Sequence, residues 1–557
     1  MTTKIQGIIY DPIASTKFPG EITIDESVGK IVSIVKNEDL ATENLPLILP
    51  GLIDSHVHIE SSMLIPSEFA RIAVTHGTVA TVSDPHEIAN VNGIDGVRFM
   101  INNGKKVPFK FYFGVPSCVP ATSFETSGSK IGLEEVETLF KEDKLLYLSE
   151  MMNFPGVIFD DENVHSLMNI AKKYNKPIDG HCPGLSDYKK LKKYVDSGIT
   201  TDHECFTIEE AKQKIELGMK VLIREGSAAK NYETLEGLIS TNPNDVMLCS
   251  DDLHPDSLVT GHINLLIKRS LKKGHGIFDI LKCSCVNPVK HYKLDVGLLQ
   301  KGDSADFILV NNLQDFKILE TWIGGKKLFD GEKSFIESVT EKPINKFFAV
   351  PRTIEEFEIT IPENCKSVKV IEVIDGELIT RALKIPIEKI KKKDNKILPD
   401  PENDILKFAV VNRYTENIEK QKLQVALIKN FGLGKGVAIA SSVNHDSHNL
   451  SVIGSDDKAM CLAINKVIEN KGGIAIVKDE QIIDLPLNVA GLMSQNDGYL
   501  VAKKYHQIEN LAKEYGSKLS APYMTLSFMC LLVIPDIKLS DLGLFDGTSF
   551  QFISLFD

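Results

Sequence analysis

The chain has 557 residues, 43% of them hydrophobic and 25% charged, and its formal net charge at pH 7 is -13. A globular chain of this length has room for two or three domains, and its acidic balance argues against a nucleic-acid backbone or an anionic membrane surface as the main partner. The opening segment MTTKIQGIIYDPIAS lacks the basic stretch and apolar run of a secretion signal. Nine cysteines spread along so long a chain suit a reducing compartment, so we expect a cytoplasmic protein.

The N-terminal segment contains short β-type runs, GIIYD, GEITI and KIVSIV, punctuated by Gly, Pro and Asp. Such runs predict the strands of a small sheet, which we place at residues 1–48. Similar strands with Gly-Asp turns recur much later, in VGLLQKGDSADFILVNN and ETWIGGKKLFDG. We therefore expect residues 296–345 to return the chain to the N-terminal sheet.

Between these segments, at residues 49–295, short apolar strands alternate with amphipathic helical patterns. The strand candidates include TVATVSD, FKFYFGVPS, LLYLSEM, KPIDGHC, TTDHE, KVLIREGS and DVMLCSDD. The helical stretches include GLEEVETLFKED, NVHSLMNIAKKYN, SDYKKLKKYVDSG and TIEEAKQKIELG. Strand–helix alternation repeated about seven or eight times is typical of a (β/α)₈ TIM-like barrel, so the predicted fold class is α/β.

Residues 346–557 are predicted to form a separate α+β domain. Its strand candidates are FAVVNR, QVALIKNFG, GVAIASS, GGIAIV and TLSFMCLLVIP. The charged stretch IPIEKIKKKDNKILPDPEND near its start is typical of a linker or an exposed hairpin, and its lysine run is expected on a solvated face.

Polar side chains follow the predicted barrel strands at the points where the strands end, which is the face of a barrel where active sites are built. His56 and His58 are two residues apart in a strand, so both imidazoles point the same way and can reach one cation. His181 in GHCPG, His203 in TDHE and Asp251 in CSDD follow later strands. Because imidazoles mixed with a carboxylate suit zinc, manganese or iron, the pattern predicts a metal site.

Further acidic residues occupy two more strand ends. Glu150 ends the strand LLYLSEM, where its two oxygens could bridge two metals or where it could simply begin a helix. Asp84, His86 and Glu87 lie together in SDPHE. They could bind an extra ion, orient the metal ligands or grip the substrate, and a turn-forming role for Asp84 is the structural alternative.

Two other polar segments have open interpretations. Arg224, Glu225 and Ser227 lie in IREGSAAKN, where Arg224 could hydrogen-bond a substrate ring or pair with a neighbouring acid. In the C-terminal domain, NHDSHN places His445 and His448 between two apolar runs. On a loop this segment could close over the barrel mouth, and as a surface turn it would need no function.

The ordered strings PGLIDSHVHIESSM, SDPHEIANV, SEMMNFPGV, GHCPG, TDHE, REGSAAKN and CSDDLHPDSL resemble the amidohydrolase superfamily and, within it, the adenine deaminases. The resemblance runs over essentially the whole chain, and SDPHEIANV and EMMNFPGV are its most specific strings. It implies a barrel flanked by a β-sandwich that is built from both the N-terminal segment and the residues after the barrel. SLVTGHIN departs from the family by being slightly shortened before GHI, which puts the helix after Asp251 in question.

The resemblance also implies a binuclear centre with two divalent transition metals per subunit, usually manganese or iron, with zinc also compatible. The ligand set that it implies in this sequence is His56, His58 and Asp251 for one metal and His181 and His203 for the other. Glu150 is implied as the bridge between the metals, where many relatives carry a carboxylated lysine. The family further suggests a homodimer or a larger homo-oligomer.

The implied reaction is the hydrolytic deamination of adenine to hypoxanthine and ammonia, as in purine salvage or catabolism. We expect a metal-activated hydroxide to attack C6 and Asp251 to take its proton, and Asp251 or Glu150 to protonate the ring and the departing ammonia. No nucleic-acid or membrane partner is expected. Two alternatives stay open: an amidohydrolase acting on a different purine or a cyclic amide, and a non-catalytic, metal-stabilised binding protein.

Overall fold

The computed structural model describes residues 2–227 and 229–557. The first strands along the chain are β1 (Thr2–Asp11), β2 (Thr16–Asp25), β3 (Lys30–Lys36) and β4 (Leu47–Pro50). In β2, the buried residues Gly20, Ile22 and Ile24 alternate with partly exposed ones. This period of two is why the segment forms a strand with one face on a core.

A closed barrel of eight parallel strands follows. Its strands are β5 (Leu52–Val57), β6 (Thr78–Ser83), β7 (Lys110–Phe113), β8 (Leu148–Met151), β9 (Ile178–Gly180), β10 (Thr201–Asp202), β11 (Lys220–Arg224) and β12 (Val246–Cys249). Neighbouring strands pair in parallel, and single bridges join β7 to β8 and β9 to β10 through the residues beside them. A bridge between Val57 and Asp251 joins the last strand to the first. The predicted (β/α)₈ barrel is therefore confirmed.

Helices lie between successive barrel strands and after the last one. They are α1 (Pro66–Ala73), α2 (His86–Asn92), α3 (Ile94–Gly104), α4 (Leu133–Lys141), α5 (Phe154–Ile158), α6 (Glu162–Lys173), α7 (Tyr188–Asp196), α8 (Ile208–Glu216), α9 (Tyr232–Leu235), α10 (Leu238–Thr241), α11 (Pro255–Thr260), α12 (Ile263–Lys272), α13 (Ile277–Leu281) and α14 (Asn287–Tyr292). Helix α6 begins where the Asp161 side chain accepts a hydrogen bond from the Val164 amide. The side chains that α6 buries recur at helical spacing: Val164, Leu167, Met168 and Ala171.

After the barrel, β13 (Phe307–Val310), β14 (Ile318–Ile323) and β15 (Lys326–Phe329) return to the N-terminal strands. The resulting seven-stranded sheet has the order β15-β14-β13-β4-β1-β2-β3, with β13 antiparallel to β4. The sheet folds back on itself, because Lys30 at the start of β3 bridges to Ser304 just before β13. The two predicted segments therefore build one flanking unit. The residue limits at 48, 295 and 345 stay predictions.

The strands beyond residue 346 are β16 (Ile359–Thr360), β17 (Ser367–Val373), β18 (Thr380–Pro386), β19 (Lys392–Lys393), β20 (Lys396–Ile397), β21 (Ile405–Val411), β22 (Gln424–Lys429), β23 (Val437–Ser441), β24 (Leu450–Gly454), β25 (Gly473–Lys478), β26 (Gln481–Pro486), β27 (Ile537–Ser540), β28 (Gly543–Asp546) and β29 (Gln551–Phe552). The helices are α15 (Asp457–Glu469), α16 (Gly498–Glu514) and α17 (Pro522–Phe528). Eight strands form a sheet in the order β18-β17-β22-β21-β24-β23-β25-β26. Helix α15 packs on it, where Ile464 and Val467 share a core with Ala440 and Val452.

One strand prediction in this domain is wrong. The apolar pattern of TLSFMCLLVIP predicts a strand, but its first residues lie in α17 and extended structure resumes only at β27. Pro522 occupies the first turn of α17, where its missing amide hydrogen costs no helical hydrogen bond, and every residue of the helix is buried. A helix buried on all sides has no polar face, so in sequence such a short run resembles a buried strand.

Other local features agree with expectation. The helix after Asp251 is present as α11 despite the shortened SLVTGHIN. The lysine run is exposed in β19, within a short hairpin with β20.

All nine cysteines are free thiols. Within residues 2–227 and 229–557, no helix combines the length and apolar character needed to cross a membrane.

The barrel closure is reinforced by the buried side chain of Asp54. Its carboxylate accepts hydrogen bonds from the Ser250 amide at 3.0 Å, from the Ser250 hydroxyl, and from Nε2 of His262 at 2.8 Å. Asp54 lies on β5 and Ser250 follows β12, so this network joins the first strand to the last. It holds together two strand ends that carry predicted metal ligands.

Ser250→Ala should lower the free energy of unfolding by about 1–3 kcal/mol, because it removes a hydroxyl donor from a buried carboxylate. Urea denaturation followed by circular dichroism measures the change. Ser240→Ala is the matched control, since Ser240 is exposed, and it should stay within about 0.5 kcal/mol of the wild type. Equal stability of the two variants would contradict this role of Asp54.

Candidate metal centre and active site

The six side chains predicted as metal ligands converge at the C-terminal ends of the barrel strands. They are His56 and His58 at the end of β5, Glu150 in β8, His181 after β9, His203 after β10 and Asp251 after β12. All are buried except His181, whose side chain is 12% exposed. Parallel strands in a barrel end on the same face, which is why residues so far apart in sequence meet here.

His56 and His58 face Asp251 across the junction of the first and last strands. Nε2 of His56 lies 3.1 Å from Nε2 of His58, and these two atoms lie 3.4 and 3.2 Å from Oδ1 of Asp251. Asp251 has a left-handed backbone with φ of 57°, a strained conformation for a residue other than glycine. Its amide donates to the His56 carbonyl at 2.9 Å, so the barrel closure holds this conformation in place.

Glu150 lies between this group and a second pair of imidazoles. Its Oε2 is 3.1 Å from Nδ1 of His181 and 3.1 Å from Nε2 of His203. Its Oε1 faces the other way, 3.6 Å from Nε2 of His58. A carboxylate whose two oxygens face two different groups of nitrogens is suited to span two cations.

The chemistry of this donor set fits divalent metal ions. Donor atoms of His56, His203 and Asp251 lie within 4.8 Å of one another, and so do those of Glu150, His181 and His203. Buried carboxylates and imidazoles at this density are costly unless they share a cation. Mixed nitrogen and oxygen ligands are those that borderline divalent ions accept.

For both Glu150 and Asp251, burial and neighbouring positive charges shift the pKa of the carboxyl in opposite directions. Burial alone would raise the pKa of Glu150, but His181 and His203 outweigh it and hold that pKa well below its ordinary value. Burial opposes ionisation of Asp251 too, and the Arg224 guanidinium holds the pKa of this carboxyl well below its ordinary value. Both carboxyls are therefore ionised at neutral pH, which is the form in which a carboxylate binds a cation.

Arg224 pairs with acids, as the second of its two interpretations has it, and a role in binding substrate stays a prediction. Its Nη1 donates to Oδ2 of Asp251 at 2.6 Å, and its Nη2 donates to Oε2 of Glu204 at 2.9 Å. Glu204 is not among the predicted site residues, yet it also lies 3.5 Å from Nδ1 of His181 and 3.4 Å from Nε2 of His203. The available signal was its place directly after His203 in TDHE.

The SDPHE cluster contacts the predicted ligands from the end of β6. Nδ1 of His86 is 3.1 Å from Oδ2 of Asp84 and 3.5 Å from Oε1 of Glu150. The Ser149 hydroxyl donates to Oδ1 of Asp84 at 2.8 Å, and the Asp84 carbonyl oxygen is 3.2 Å from Nδ1 of His58. The contact with His58 fixes the orientation of its ring, as partners behind metal ligands commonly do.

The C-terminal domain reaches the barrel mouth through NHDSHN, which is a buried loop. Nδ1 of His445 lies 2.5 Å from Oε1 of Glu87, and Nε2 of His448 contacts Oε2 of the same carboxylate. Although burial opposes protonation, Glu87 raises the pKa of His445 to about 9. Burial lowers the pKa of His448 to about 4. Glu87 thus contacts both imidazoles of this loop, and its Oε1 also lies 3.2 Å from Nε2 of His86.

Glu225 and Ser227 make their contacts elsewhere. Glu225 pairs with Arg269 at 2.7 Å. The Ser227 hydroxyl oxygen accepts a hydrogen bond from the His254 amide at 2.8 Å. Among the contacts of the described residues, neither side chain joins the ligand cluster, and a role for either in binding substrate stays a prediction.

A cavity of about 1710 Å³ opens beside the cluster. Its walls include Met151, Glu204 and Arg224 from the barrel, and Leu378 and Ile534 from the C-terminal domain. Glu204 and Arg224 contact predicted metal ligands directly, so the cavity borders the cluster through these two side chains. It has ample room for a small organic molecule.

Sequence comparison defines the class of protein. Residues 47–328 match the model of the amidohydrolase family, and residues 377–551 match that of the adenine deaminase C-terminal domain. The chain belongs to the amidohydrolase family, which implies a divalent metal centre where the six donors converge.

The relatives narrow that class. An adenine deaminase of Methanosarcina mazei is 50% identical over 99% of both chains, and one of a Sulfurovum species is 51% identical over 96% of both. A solved β-aspartyl dipeptidase of Fervidobacterium islandicum, 18% identical, overlays 61% of this chain and 100% of its own with a TM-score of 0.46. On the full-length similarity, the chain is a member of the adenine deaminases.

Adding Mn²⁺ to chelator-treated protein should raise the midpoint of thermal unfolding. A cation that binds only the folded state stabilises it by about 2.7 kcal/mol at a free concentration of 100 times its Kd. His203→Ala should lose most of this rise in scanning fluorimetry. His165→Ala is the control, because His165 lies on α6 and contacts the Val157 carbonyl. The same rise in both variants would argue against a metal at His203.

Proposed function

We propose that this chain catalyses the hydrolytic deamination of adenine to hypoxanthine and ammonia. One observation carries the proposal: four imidazoles and two carboxylates converge in a buried cluster at the mouth of the barrel, in a chain whose full-length relatives are adenine deaminases. The adjoining cavity supports a small base as substrate.

The residues proposed to hold metal form two sets that share Glu150: His56, His58 and Asp251 in one, and His181 and His203 in the other. When bound there, divalent ions supply Lewis-acid chemistry that lowers the pKa of water toward neutrality. The mixed donors support manganese or iron as the ions, with zinc also compatible.

Asp251 is proposed to move the protons. Its Oδ2 accepts from Arg224, while its Oδ1 faces His56 and His58. As a carboxylate beside the other proposed ligands, Asp251 can accept a proton from the water that attacks C6 and pass it to a ring nitrogen or to the departing amino group. Glu150 is the second candidate for returning a proton. Adenine and water together account for all atoms of hypoxanthine and ammonia.

The SDPHE and NHDSHN segments are proposed to support the site rather than to perform the chemistry. Asp84 and His86 orient the ligands through His58 and Glu150. The histidines of NHDSHN hold Glu87, at the start of α2, against the barrel mouth.

Other properties are proposed along with this activity. The family similarity suggests a homodimer or a larger homo-oligomer. The nine free thiols favour a cytoplasmic location. The division of the chain at residues 48, 295 and 345 is proposed from the sequence pattern.

Metal-reconstituted protein should release ammonia and hypoxanthine from adenine, and Asp251→Asn should lower kcat about 10²- to 10⁴-fold, because an amide cannot accept the proton. Ammonia release and ultraviolet absorbance measure turnover, with metal content measured alongside. Asp245→Asn is the control: Asp245 lies before β12, at its other end, and pairs with Lys220. Full activity of Asp251→Asn would refute this assignment.

The same assay separates the alternatives. Faster turnover of guanine or hydantoin than of adenine would replace the proposed reaction with another amidohydrolase activity. Metal-dependent stability without turnover of any of these substrates would support a binding protein instead.

His448→Ala should lower kcat/KM for adenine about 10- to 100-fold, because it removes one of the two NHDSHN imidazoles that contact the buried Glu87. Metal content should not change, since neither residue is a proposed ligand. His506→Ala, whose side chain is 62% exposed, should match the wild type. Wild-type kcat/KM in His448→Ala would show that the loop does not support the site.

A further inference from the structure

The cavity has a second polar feature that the proposed mechanism does not use. Glu125 lies on the loop between β7 and α4, lines the cavity and is only 6% exposed. Neither of its carboxyl oxygens has a hydrogen-bond partner among the residues that the structure describes. A buried carboxyl without partners is costly, so such a group is a candidate for bonding to a ligand.

The surroundings of Glu125 favour its neutral form. Burial, together with the charge of Asp446, raises the pKa of this carboxyl well above its ordinary value, and the nearby Ser447 and Thr122 hydroxyls offset only part of that rise. Asp541 is a second neighbouring acid and accepts a hydrogen bond from the Thr126 amide at 2.9 Å. A neutral carboxylic acid presents an O–H donor and a C=O acceptor side by side.

Free adenine has an edge that matches this pair. If C6 faces the metal ligands, the opposite side of the ring system carries N3, which accepts a hydrogen bond, and N9–H, which donates one. An acid can donate its O–H to N3 and accept from N9–H on its carbonyl oxygen. Glu204 and Arg224, which contact predicted metal ligands, line the same cavity as Glu125.

We propose that Glu125 selects the free base by pairing with the N3 and N9–H edge of adenine. This inference rests on the proposed deamination of adenine. A 9-substituted adenine, such as a nucleoside, has no N9–H to donate, and its substituent would meet the acid. At C6 the free base and the nucleoside carry the same amino group, so selection between them has to come from this far edge of the ring.

The test compares adenine, 3-deazaadenine and 9-methyladenine as substrates of the metal-reconstituted protein. In the wild type, loss of either ring group should lower kcat/KM about 10- to 100-fold, chiefly through KM, because the buried acid is left unpaired. Glu125→Gln keeps one donor and one acceptor and should keep this preference. In Glu125→Ala, kcat/KM for adenine should fall by a similar factor, and the preference for adenine over the other two bases should disappear. Each base has its own intrinsic reactivity, but this factor cancels when the ratio of kcat/KM between two bases is compared between the wild type and a variant.

Glu134→Ala is the matched control, since Glu134 is an exposed glutamate at the start of α4, just after the same loop. This inference alone is overturned if the wild type turns over adenine and Glu125→Ala keeps the wild-type ratios of kcat/KM among the three bases. If Glu125→Ala does not fold, the wild type decides, because equal kcat/KM for adenine and 9-methyladenine would overturn the inference. No adenine turnover by the metal-loaded wild type would overturn the proposed function itself.

Discussion

The bridge between Val57 and Asp251 joins the last barrel strand to the first, and the site depends on that junction. His56 and His58 lie on one side of it and Asp251 on the other, so their donor atoms approach to 3.2–3.4 Å only because the ring closes there. The buried Asp54 network strengthens the same junction by linking the two strand ends. The backbone hydrogen bonds that complete the barrel therefore also assemble the donor set.

Burying so many ionisable groups together couples stability to metal binding. Ionised carboxylates and neutral imidazoles in a region of low dielectric bind a cation strongly, and burying them costs free energy when no cation is shared among them. Arg224 adds a fixed positive charge that keeps Asp251 ionised. Its guanidinium contacts Oδ2 of Asp251, whereas the two histidines face Oδ1. The desolvation that makes the cluster costly without metal thus makes it receptive to metal, and metal affinity becomes part of folding stability.

The C-terminal domain contributes to the site without supplying any of the six proposed ligands. The histidines of its NHDSHN loop contact Glu87, and its segments around Leu378 and Ile534 form part of the cavity wall. Asp446 of the same loop acts on Glu125 through its charge. The barrel therefore carries the groups proposed to react, and the second domain shapes part of the cavity proposed to take the substrate.

Several features could be predicted from the sequence because their causes are local. The period of two places His56 and His58 on one side of a strand, and alternation of strand and helix patterns indicates a barrel. Since parallel barrel strands end on one face, polar residues at strand ends are expected to meet. The apolar run at TLSFMCLLVIP failed as a strand prediction because a fully buried helix leaves no periodic signal.

Tertiary structure decided which of these residues touch one another. Glu204 could not be recognised, because an acid beside a histidine has many roles until Arg224 and the second imidazole pair are placed next to it. The contact of His445 with Glu87 spans 358 positions of the chain, and no local pattern records it. Residue types and local periodicity thus determined the barrel and its candidate ligands, whereas long-range packing decided the partners, the protonation and the shape of the cavity, because each of these depends on groups brought together only by folding.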